Sequence, residues 1–245
     1  MHRFYCPHAD FSSKVVRISD PHEIHHIKDV LRLKPSAEMC VFNNENEEAR
    51  VVITEIREGE IMVRVEGVRQ SALTGNVKIV LACAVPKKAK FEFIIEKCTE
   101  LGVDAIIPLK TKRAEVVFSK EKILAKQMRF EKVAVNAAKQ CGRNNIPHIA
   151  AMTPVAEVFQ GLDPDGLAII PSLNGNNPHI RDVISQNTKP SSVTIFIGPE
   201  GDFTPDEVAL AVGAGCRPVS LGGTVLKVDT AAIAAVALAR FLFLD

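Results

Sequence analysis

The residues best suited to chemistry lie in a glycine-bearing loop of the C-terminal half. The stretch IFIGPEGDFTPDEV (195–208) places Gly198, Glu200 and Gly201 directly after an apolar segment. Glycine permits backbone conformations and close approaches that a side chain would forbid, so such a loop can hold a small molecule against bare backbone. It contains neither a G-x-G-x-x-G dinucleotide fingerprint nor the Gly-Lys-Ser/Thr ending of a phosphate-binding loop. Taken alone, the loop also fits an ordinary tight turn from strand to helix.

A second glycine pair favours a binding pocket. The stretch SLGGTVLKVDTAAIAAV (220–236) puts Gly222 and Gly223 after another predicted strand and follows them with Val225 and Leu226. Both loops come at the carboxyl ends of predicted strands, where α/β sheets bind their ligands. The sequence therefore predicts that the two loops converge on one small-molecule site.

Positive charge is concentrated in the middle of the chain. Residues 76–146 contain 15 Lys and Arg against 7 Asp and Glu, although the whole chain has a net charge of only +1. Such clusters favour polyanions, because phosphate contacts supply much of the affinity for nucleic acids. Arg113 and Arg143 follow a predicted strand and a predicted helix, and arginine can hold a phosphate with two hydrogen bonds. The alternative is a solvated, lysine-rich helix surface with arginines in surface salt bridges.

Composition and spacing exclude several other classes of protein. The 245 residues, 47% hydrophobic and 24% charged, are typical of a globular protein with two domains. No apolar run reaches the ~18 residues of a membrane span, and the start MHRFYCPHAD lacks the pattern of a signal peptide, which predicts a cytoplasmic protein without a membrane partner. The six cysteines include no C-x-x-C pair, which predicts reduced thiols and no structural zinc. His22, His25 and His26 flank a predicted helix, and their spacing permits a pair of metal ligands. The sequence offers no further ligand to complete such a site, so we expect no metal.

The N-terminal part is predicted to be a small β-rich module. Partial alternation and β-branched residues predict strands at 37–43, 49–58 and 60–68. The last two are joined by a predicted turn at Glu58-Gly59. Apolar residues at helical spacing predict one helix over 21–33, and the polar stretch 69–76 is the predicted linker.

The remainder alternates strands with helices. Buried strands are predicted at 77–85, 103–109, 166–172, 193–198 and 216–222. Helices are predicted at 87–102, 120–142 and 229–243, and a further one begins where Thr204, Pro205 and Glu207 form a capping-box pattern. This order predicts a mainly parallel α/β sheet with helices on both faces.

Four blocks of the chain resemble the signature blocks of one protein family. GPEGDFTPDEV, LGGTVLKVDTA, KFEFIIEKCTELGVDAIIPLKTKRAEVV and AAKQCGRNNIP look like successive blocks of the RsmE family, whose members methylate a uridine of small-subunit ribosomal RNA. MHRFY and HHIKDVLRL are similar to its N-terminal RNA-binding module. The resemblance implies a PUA-like β-barrel at 1–72 and a trefoil-knotted SPOUT methyltransferase domain at 76–245. It also implies a homodimer that uses S-adenosylmethionine to methylate the uracil ring N3 in 16S ribosomal RNA.

The resemblance and the chemistry of methyl transfer together suggest functional residues. The cofactor loops would contain Pro171, Ser172, Leu173, Gly198, Glu200, Gly201, Leu221, Gly222, Gly223, Val225 and Leu226. Lys227 or Arg143 would stabilise the uracil ring as its proton leaves, and Asp229 would act as a base or orienting group. The alternative for Asp229 is a helix cap. RNA phosphates would contact Arg3, Lys28, Arg32, Lys87, Lys88, Lys90, Arg113 and Arg143.

The chain departs from the family pattern at several of these positions. Asp202 stands where the family usually has a second glycine, and Thr224 and Lys227 stand where it has arginines. Asp229 is a shortened version of the family's glutamate. Two alternatives therefore stay open. One is a non-catalytic RNA-binding protein that retains the knotted fold, and the other is a SPOUT methyltransferase acting on another RNA site.

Overall fold

The computed structural model describes residues 1–70, 77–86, 90–114, 120–173, 175–187 and 190–243. The chain divides into two compact units. The first comprises Met1–Leu73 and Ala138–Ile146, and the second comprises Thr74–Ala137 and Pro147–Asp245. Most of the predicted linker lies outside the described residues, and the domain limits 1–72 and 76–245 stay a prediction.

The first unit is built mainly from antiparallel strands. Its described elements are β1 (Arg3–Tyr5), β2 (Val15–Ile18), α1 (Pro21–His25), a π-helical turn (His26–Val30), β3 (Glu38–Phe42), β4 (Glu47–Arg57) and β5 (Glu60–Gln70). The strands form a sheet in the order β1-β3-β4-β5-β2, in which β1 and β3 are parallel and the other neighbours antiparallel. The predicted turn at Glu58-Gly59 joins β4 to β5, and Gly59 has a φ of +77° there. Strands β1 and β2 are too short for the sequence pattern to reveal.

The predicted helix over 21–33 ends earlier than expected. Asp20 begins it, because its carboxylate accepts hydrogen bonds from the backbone N–H groups of His22 and Glu23. The α-helix stops at His25, and the chain continues as the π-helical turn to Val30. The prediction of one helix to residue 33 is therefore wrong at its C-terminal end.

Residues 138–146 join the first unit through a buried ion pair. Lys139 Nζ lies 2.8 Å from both carboxylate oxygens of Glu23, and the two side chains are 13% and 9% exposed. The ammonium group also lies 5.4 Å from the centre of the Phe4 ring, within the distance of a cation–π contact. The pair is thus part of the packed interior of this unit.

The second unit contains the alternating strands and helices that the sequence predicts. Its described elements are β6 (Lys78–Ala84), α2 (Lys90–Glu100), β7 (Ala105–Lys110), α3 (Lys120–Cys141, shared with the first unit), β8 (His148–Ile149), β9 (Thr153–Pro154), α4 (Val155–Gln160), β10 (Leu167–Pro171), α5 (Ile180–Ser185), β11 (Ser192–Ile197), α6 (Pro205–Gly213), β12 (Arg217–Val219) and α7 (Val228–Leu242). The strands lie in the order β12-β10-β11-β6-β7-β8, with β9 also paired to β7.

The pairings described in this sheet are parallel, so the predicted α/β class with a mainly parallel sheet is confirmed. Strand β11 is buried along its full length, as expected for a central strand covered on both faces. Short elements such as α4, α5 and β9 were not predicted, because they span too few residues for a periodic pattern. None of the helices in the described ranges is long and apolar enough to cross a membrane.

A buried arginine fixes the C-terminal end of α7. Arg240 is 5% exposed, and its guanidinium donates to the Gly102 carbonyl and, at 3.1 Å, to Asp104 Oδ2. The same carboxylate oxygen accepts the Ile79 N–H at 2.8 Å. Gly102 has a φ of +92°, and a Cβ there would lie 2.9 Å from Arg240 Nε. Glycine is therefore required at this position both for the backbone conformation and for the approach of the guanidinium.

Candidate functional site

Three loops meet at one edge of the parallel sheet in the second unit. They follow β10, β11 and β12, which are neighbours in the order β12-β10-β11. Because parallel strands end at the same edge, these loops can enclose one space. They line a cavity of about 550 Å³. The residues predicted to hold the cofactor that line it are Pro171, Ser172, Leu173, Gly198, Glu200, Leu221, Gly222, Gly223, Val225 and Leu226.

The loop after β11 is a closed turn. The Asp202 N–H donates to the Pro199 carbonyl at 2.9 Å, and Asp202 adopts a left-handed conformation with a φ of +60°. A Cβ at Gly198 would lie 3.2 Å from Cδ2 of Phe203, a fully buried side chain. Gly198 is therefore needed first for the packing of Phe203, a reason that the sequence did not suggest.

Helix α6 begins immediately after this turn with the predicted capping box. Thr204 Oγ1 accepts the Glu207 N–H at 3.2 Å, and Glu207 Oε2 accepts the Thr204 N–H at 2.8 Å. The loop after β7 adds two contacts, because Glu207 Oε1 accepts the Lys112 N–H at 2.8 Å and Arg113 donates to the Gly201 carbonyl at 2.6 Å. Gly201 is thus held by Arg113, and it is not one of the described residues that line the cavity.

The loop after β12 supplies open space next to backbone. Gly222 has a φ of +124°, which favours glycine, and its N–H donates to Ser220 Oγ at 3.2 Å. A Cβ added at Gly222 or Gly223 would have no described heavy atom within 4 Å. The cavity therefore reaches the backbone of this loop.

The cavity suits S-adenosylmethionine in size and in the chemistry of its walls. Its volume of about 550 Å³ lies in the range of small-molecule sites. Ile197, Leu221 and Leu226 offer apolar surface for an adenine ring, and the glycine loops expose backbone groups. Glu200 and Lys227 provide a negative and a positive side chain for a ligand that has charges of both signs.

The residues proposed for catalysis are distributed over the two units. Lys227 lines the cavity and is the N-cap residue of α7. Asp229 lies in the first turn of α7 rather than at the cap, so its interpretation as a helix cap is wrong. Its Oδ1 atom is buried without a hydrogen-bond partner among the described residues, although Asp229 does not line the cavity. Arg143 belongs to the first unit, and its carbonyl accepts a hydrogen bond from Arg3.

Comparison with known proteins identifies the family. The model of an RNA methyltransferase domain matches residues 74–240, and that of an RNA methyltransferase PUA domain matches residues 18–66. The chain is 31% identical over 232 residues to ribosomal RNA small subunit methyltransferase E of Rickettsia conorii, covering 94% of this chain and 91% of that protein. It belongs to the ribosomal RNA small subunit methyltransferase E family.

Other relatives agree with this assignment. Methyltransferase E of Synechocystis is 30% identical over 216 residues, which are 88% of this chain and 69% of the relative. Among solved structures, a methyltransferase of Legionella pneumophila in complex with its bound cofactor SAM is 31% identical, with a TM-score of 0.89 over 98% of this chain and 96% of that one. The predicted family and its PUA-like N-terminal domain are confirmed.

In this member of the methyltransferase E family, the basic residues predicted to contact RNA differ in their solvent exposure. Lys28, Arg32 and Arg113 are exposed, whereas Arg3, Lys90 and Arg143 are partly buried. The Arg3 guanidinium forms an ion pair with Glu48 and donates to the side chain of Asn144. Lys87 and Lys88 lie outside the described residues. Contact with RNA stays a prediction for all of these residues.

Several residues that line the cavity were not predicted to bind the cofactor. They include Asn176, Asn177, Asp202, Ser220 and Thr224. Asn176 and Asn177 lie in the polar sequence between β10 and α5, where no hydrophobic pattern marks a position. The sequence feature that could have indicated these asparagines is their position in a polar loop directly after a predicted strand.

Two buried cysteines are unsuited to nucleophilic chemistry. Burial raises the pKa of Cys98 and that of Cys216 to about 12, so both thiols stay protonated and are poor nucleophiles. In the parts of the chain that the structure describes, no three His, Cys, Asp or Glu side chains come together as a metal site requires.

Proposed function

We infer that the protein transfers a methyl group from S-adenosylmethionine to ring N3 of a uridine in 16S ribosomal RNA. The observation that carries this inference is the cavity formed by three neighbouring strand-end loops, within residues that match the RNA methyltransferase domain. The names of the relatives supply the RNA substrate and, through the RsmE family, the uridine position.

Lys227 is the side chain best placed to assist the reaction. When bound, S-adenosylmethionine supplies an electrophilic methyl group. The protein then has to orient the uracil ring towards this methyl group and to allow the N3 proton to leave. Lys227 lines the cavity, and its ammonium group would stabilise the negative charge that develops on the ring. Arg143 is the alternative source of this positive charge.

Asp229 is a second candidate for the handling of the proton. A buried carboxylate oxygen without a hydrogen-bond partner is costly, unless a substrate or a further group pairs with it. The Oδ1 atom of Asp229 is in this position among the described residues. Because Asp229 does not line the cavity, we propose that it orients the group that takes the N3 proton, or receives this proton through that group.

RNA would be held by basic side chains of each unit. Lys28 and Arg32 are exposed on the first unit, and Arg113 is exposed on the second. Arg113 uses one guanidinium N–H group for the Gly201 carbonyl, and guanidinium has five such donors. Phosphate contacts of this kind predict that RNA affinity falls steeply with increasing salt concentration.

The assembly and topology implied by the family are part of the same proposal. We propose a cytoplasmic homodimer that acts on ribosomal RNA within an assembled small subunit, with the C-terminal segment threaded as a trefoil knot. The hydrogen bonds near β12 support such threading, because Val219 accepts the Ser172 N–H while Ser220 donates to Pro178 and accepts from Ile180. Val219 and Ser220 are thus bonded to the chain on both sides of the segment between Ser172 and Pro178.

Mass spectrometry of 16S ribosomal RNA tests the proposed function. RNA from a strain that lacks the gene should lose one N3-methylated uridine, and the wild-type gene should restore it. Calorimetry with purified protein and S-adenosylmethionine should show binding. An unchanged set of methylated uridines would contradict the reaction, and the loss of a ribose or other base methylation would assign the enzyme to a different RNA site.

A further inference from the structure

Asp202 joins two of the three loops that form the cavity. Its Oδ2 atom accepts the Leu173 N–H at 3.1 Å, across 29 positions of sequence. Its Oδ1 atom accepts the N–H of the next residue, Phe203, at 2.8 Å. One carboxylate therefore binds the backbone of the loop after β10 and that of the loop after β11. Leu173 and Asp202 both line the cavity.

The backbone at Asp202 is arranged for this contact. Few residues other than glycine adopt a positive φ, and aspartate and asparagine are among those that tolerate it. Asp202 has a φ of +60°, and its N–H closes the turn onto the Pro199 carbonyl at 2.9 Å. A Cβ at Gly198 would lie 3.3 Å from Asp202 Oδ1, so the absence of a side chain at Gly198 also leaves room for the carboxylate.

We propose that Asp202 is a positioning residue, whose carboxylate fixes the Leu173 loop against the 198–203 turn and so preorganises the cofactor cavity. This inference rests on the proposed function, because it assigns the cavity to S-adenosylmethionine. Hydrogen bonds to a charged acceptor are stronger than those between neutral groups, so the charge is part of this tether. Glycine at this position would permit the same backbone conformation, but it would leave the two loops without the carboxylate that joins them.

Substitution of Asp202 by asparagine removes one half of the tether with little change in shape. The Leu173 and Phe203 N–H groups bond to different oxygens of Asp202. Asparagine tolerates the left-handed conformation, but its NH₂ group replaces one of these oxygens and would face an N–H donor instead of accepting from it. Asp206→Asn is the matched control, since Asp206 lies four residues along the chain and its side chain is 78% exposed in an ion pair with Lys112. Both proteins and the wild type would be titrated with S-adenosylmethionine by calorimetry. Amide hydrogen exchange would be measured at Leu173 without cofactor.

We expect Asp202→Asn to raise the Kd for S-adenosylmethionine about tenfold. Exchange of the Leu173 amide in the cofactor-free protein should become about tenfold faster, and Asp206→Asn should leave both quantities unchanged. Weaker binding by Asp202→Asn with unchanged exchange at Leu173 would overturn the tether, since it would indicate direct attraction between the carboxylate and the cofactor. Equal affinities of the two variants would overturn it as well.

The proposed function fails in a different way. If the wild-type protein itself does not bind S-adenosylmethionine, the assignment of the cavity is wrong, and the positioning role falls with it. If the wild type binds and Asp202→Asn behaves like Asp206→Asn, the cavity assignment stands and only the role of Asp202 is contradicted.

Discussion

The two ends of helix α7 differ sharply in their surroundings. At the N-terminal end, Lys227 is exposed and makes no side-chain cap, and Val228 and Ala231 line the cavity. At the C-terminal end, Arg240 is buried and bonded to Asp104 and to the Gly102 carbonyl. One helix therefore presents polar groups to a ligand site at one end and is fixed in the interior at the other.

The difference teaches that stability and function are separated along this helix. A helix N-terminus carries partial positive charge and unpaired N–H groups, which suit a site for negative charge. A helix C-terminus favours a cation, and Arg240 is the basic residue of the last turn. We call the buried C-terminal end of α7, at Arg240, the closed end, and the N-terminal end beside the cavity, at Lys227, the open end. Substitutions at the closed end should change stability, and substitutions at the open end should change the rate of the reaction.

The largest expected effect is on stability at the closed end. Arg240→Met should lower the free energy of unfolding by about 3 kcal/mol, because it removes the buried guanidinium that bonds to Asp104 and to the Gly102 carbonyl. Urea unfolding followed by circular dichroism would measure the loss. Arg181→Met is the control, since the Arg181–Asp182 pair is exposed at 67% and 52% and should contribute little. Equal stabilities of the two variants would contradict the separation.

At the open end, the expected effect is on the rate. Lys227→Ala should reduce kcat about 100-fold if its charge stabilises the uracil ring, while the free energy of unfolding stays close to that of the wild type. Methyl transfer from labelled cofactor to small ribosomal subunits would report the rate at saturating cofactor. Lys122→Ala, at an exposed position of α3, is the control. A normal rate for Lys227→Ala would remove this lysine from the chemistry and leave Arg143 as the candidate.

The contrast also explains what could be predicted from the sequence. The cavity loops have local signals, since glycine pairs follow apolar strands and the capping box spans only Thr204 to Glu207. Residues so close in sequence constrain one another directly. The order of β10, β11 and β12 in the sheet, which brings the loops together, came from the structure.

Ion pairs between residues far apart in the chain leave no comparable signal in the sequence. Arg240 and Asp104 are 136 positions apart, and Lys139 and Glu23 are 116 positions apart. From the sequence, each of these four charged residues is expected at the surface, because charged side chains are seldom buried. No local pattern marks the ones that are. The same reason explains why Arg3 was predicted only as an RNA contact, although its guanidinium is paired with Glu48. Pairing between residues that are distant in sequence becomes visible only in the three-dimensional structure.

The surroundings of the Lys139–Glu23 pair in the first unit are a second closed region, where a further positive charge should be unfavourable. The protonation of His26 tests this, and its effect on stability is the smallest that we predict. Burial lowers the pKa of His26 below its ordinary value of 6.5, and the nearby charge of Lys139 lowers it further, although Glu23 acts in the opposite direction. The unfolded chain therefore binds a proton at higher pH than the folded one does.

The sign of the pH dependence follows from this difference. Between the lowered pKa of folded His26 and 6.5, the unfolded state holds more protons, so the free energy of unfolding should decrease as the pH falls through this window. Urea unfolding at about pH 7.5 and at about pH 6 would measure the decrease, and His26→Gln should reduce it. A variant with the same pH dependence as the wild type would show that burial beside Lys139 imposes no cost on protonated His26, and would confine the contrast between closed and open regions to α7.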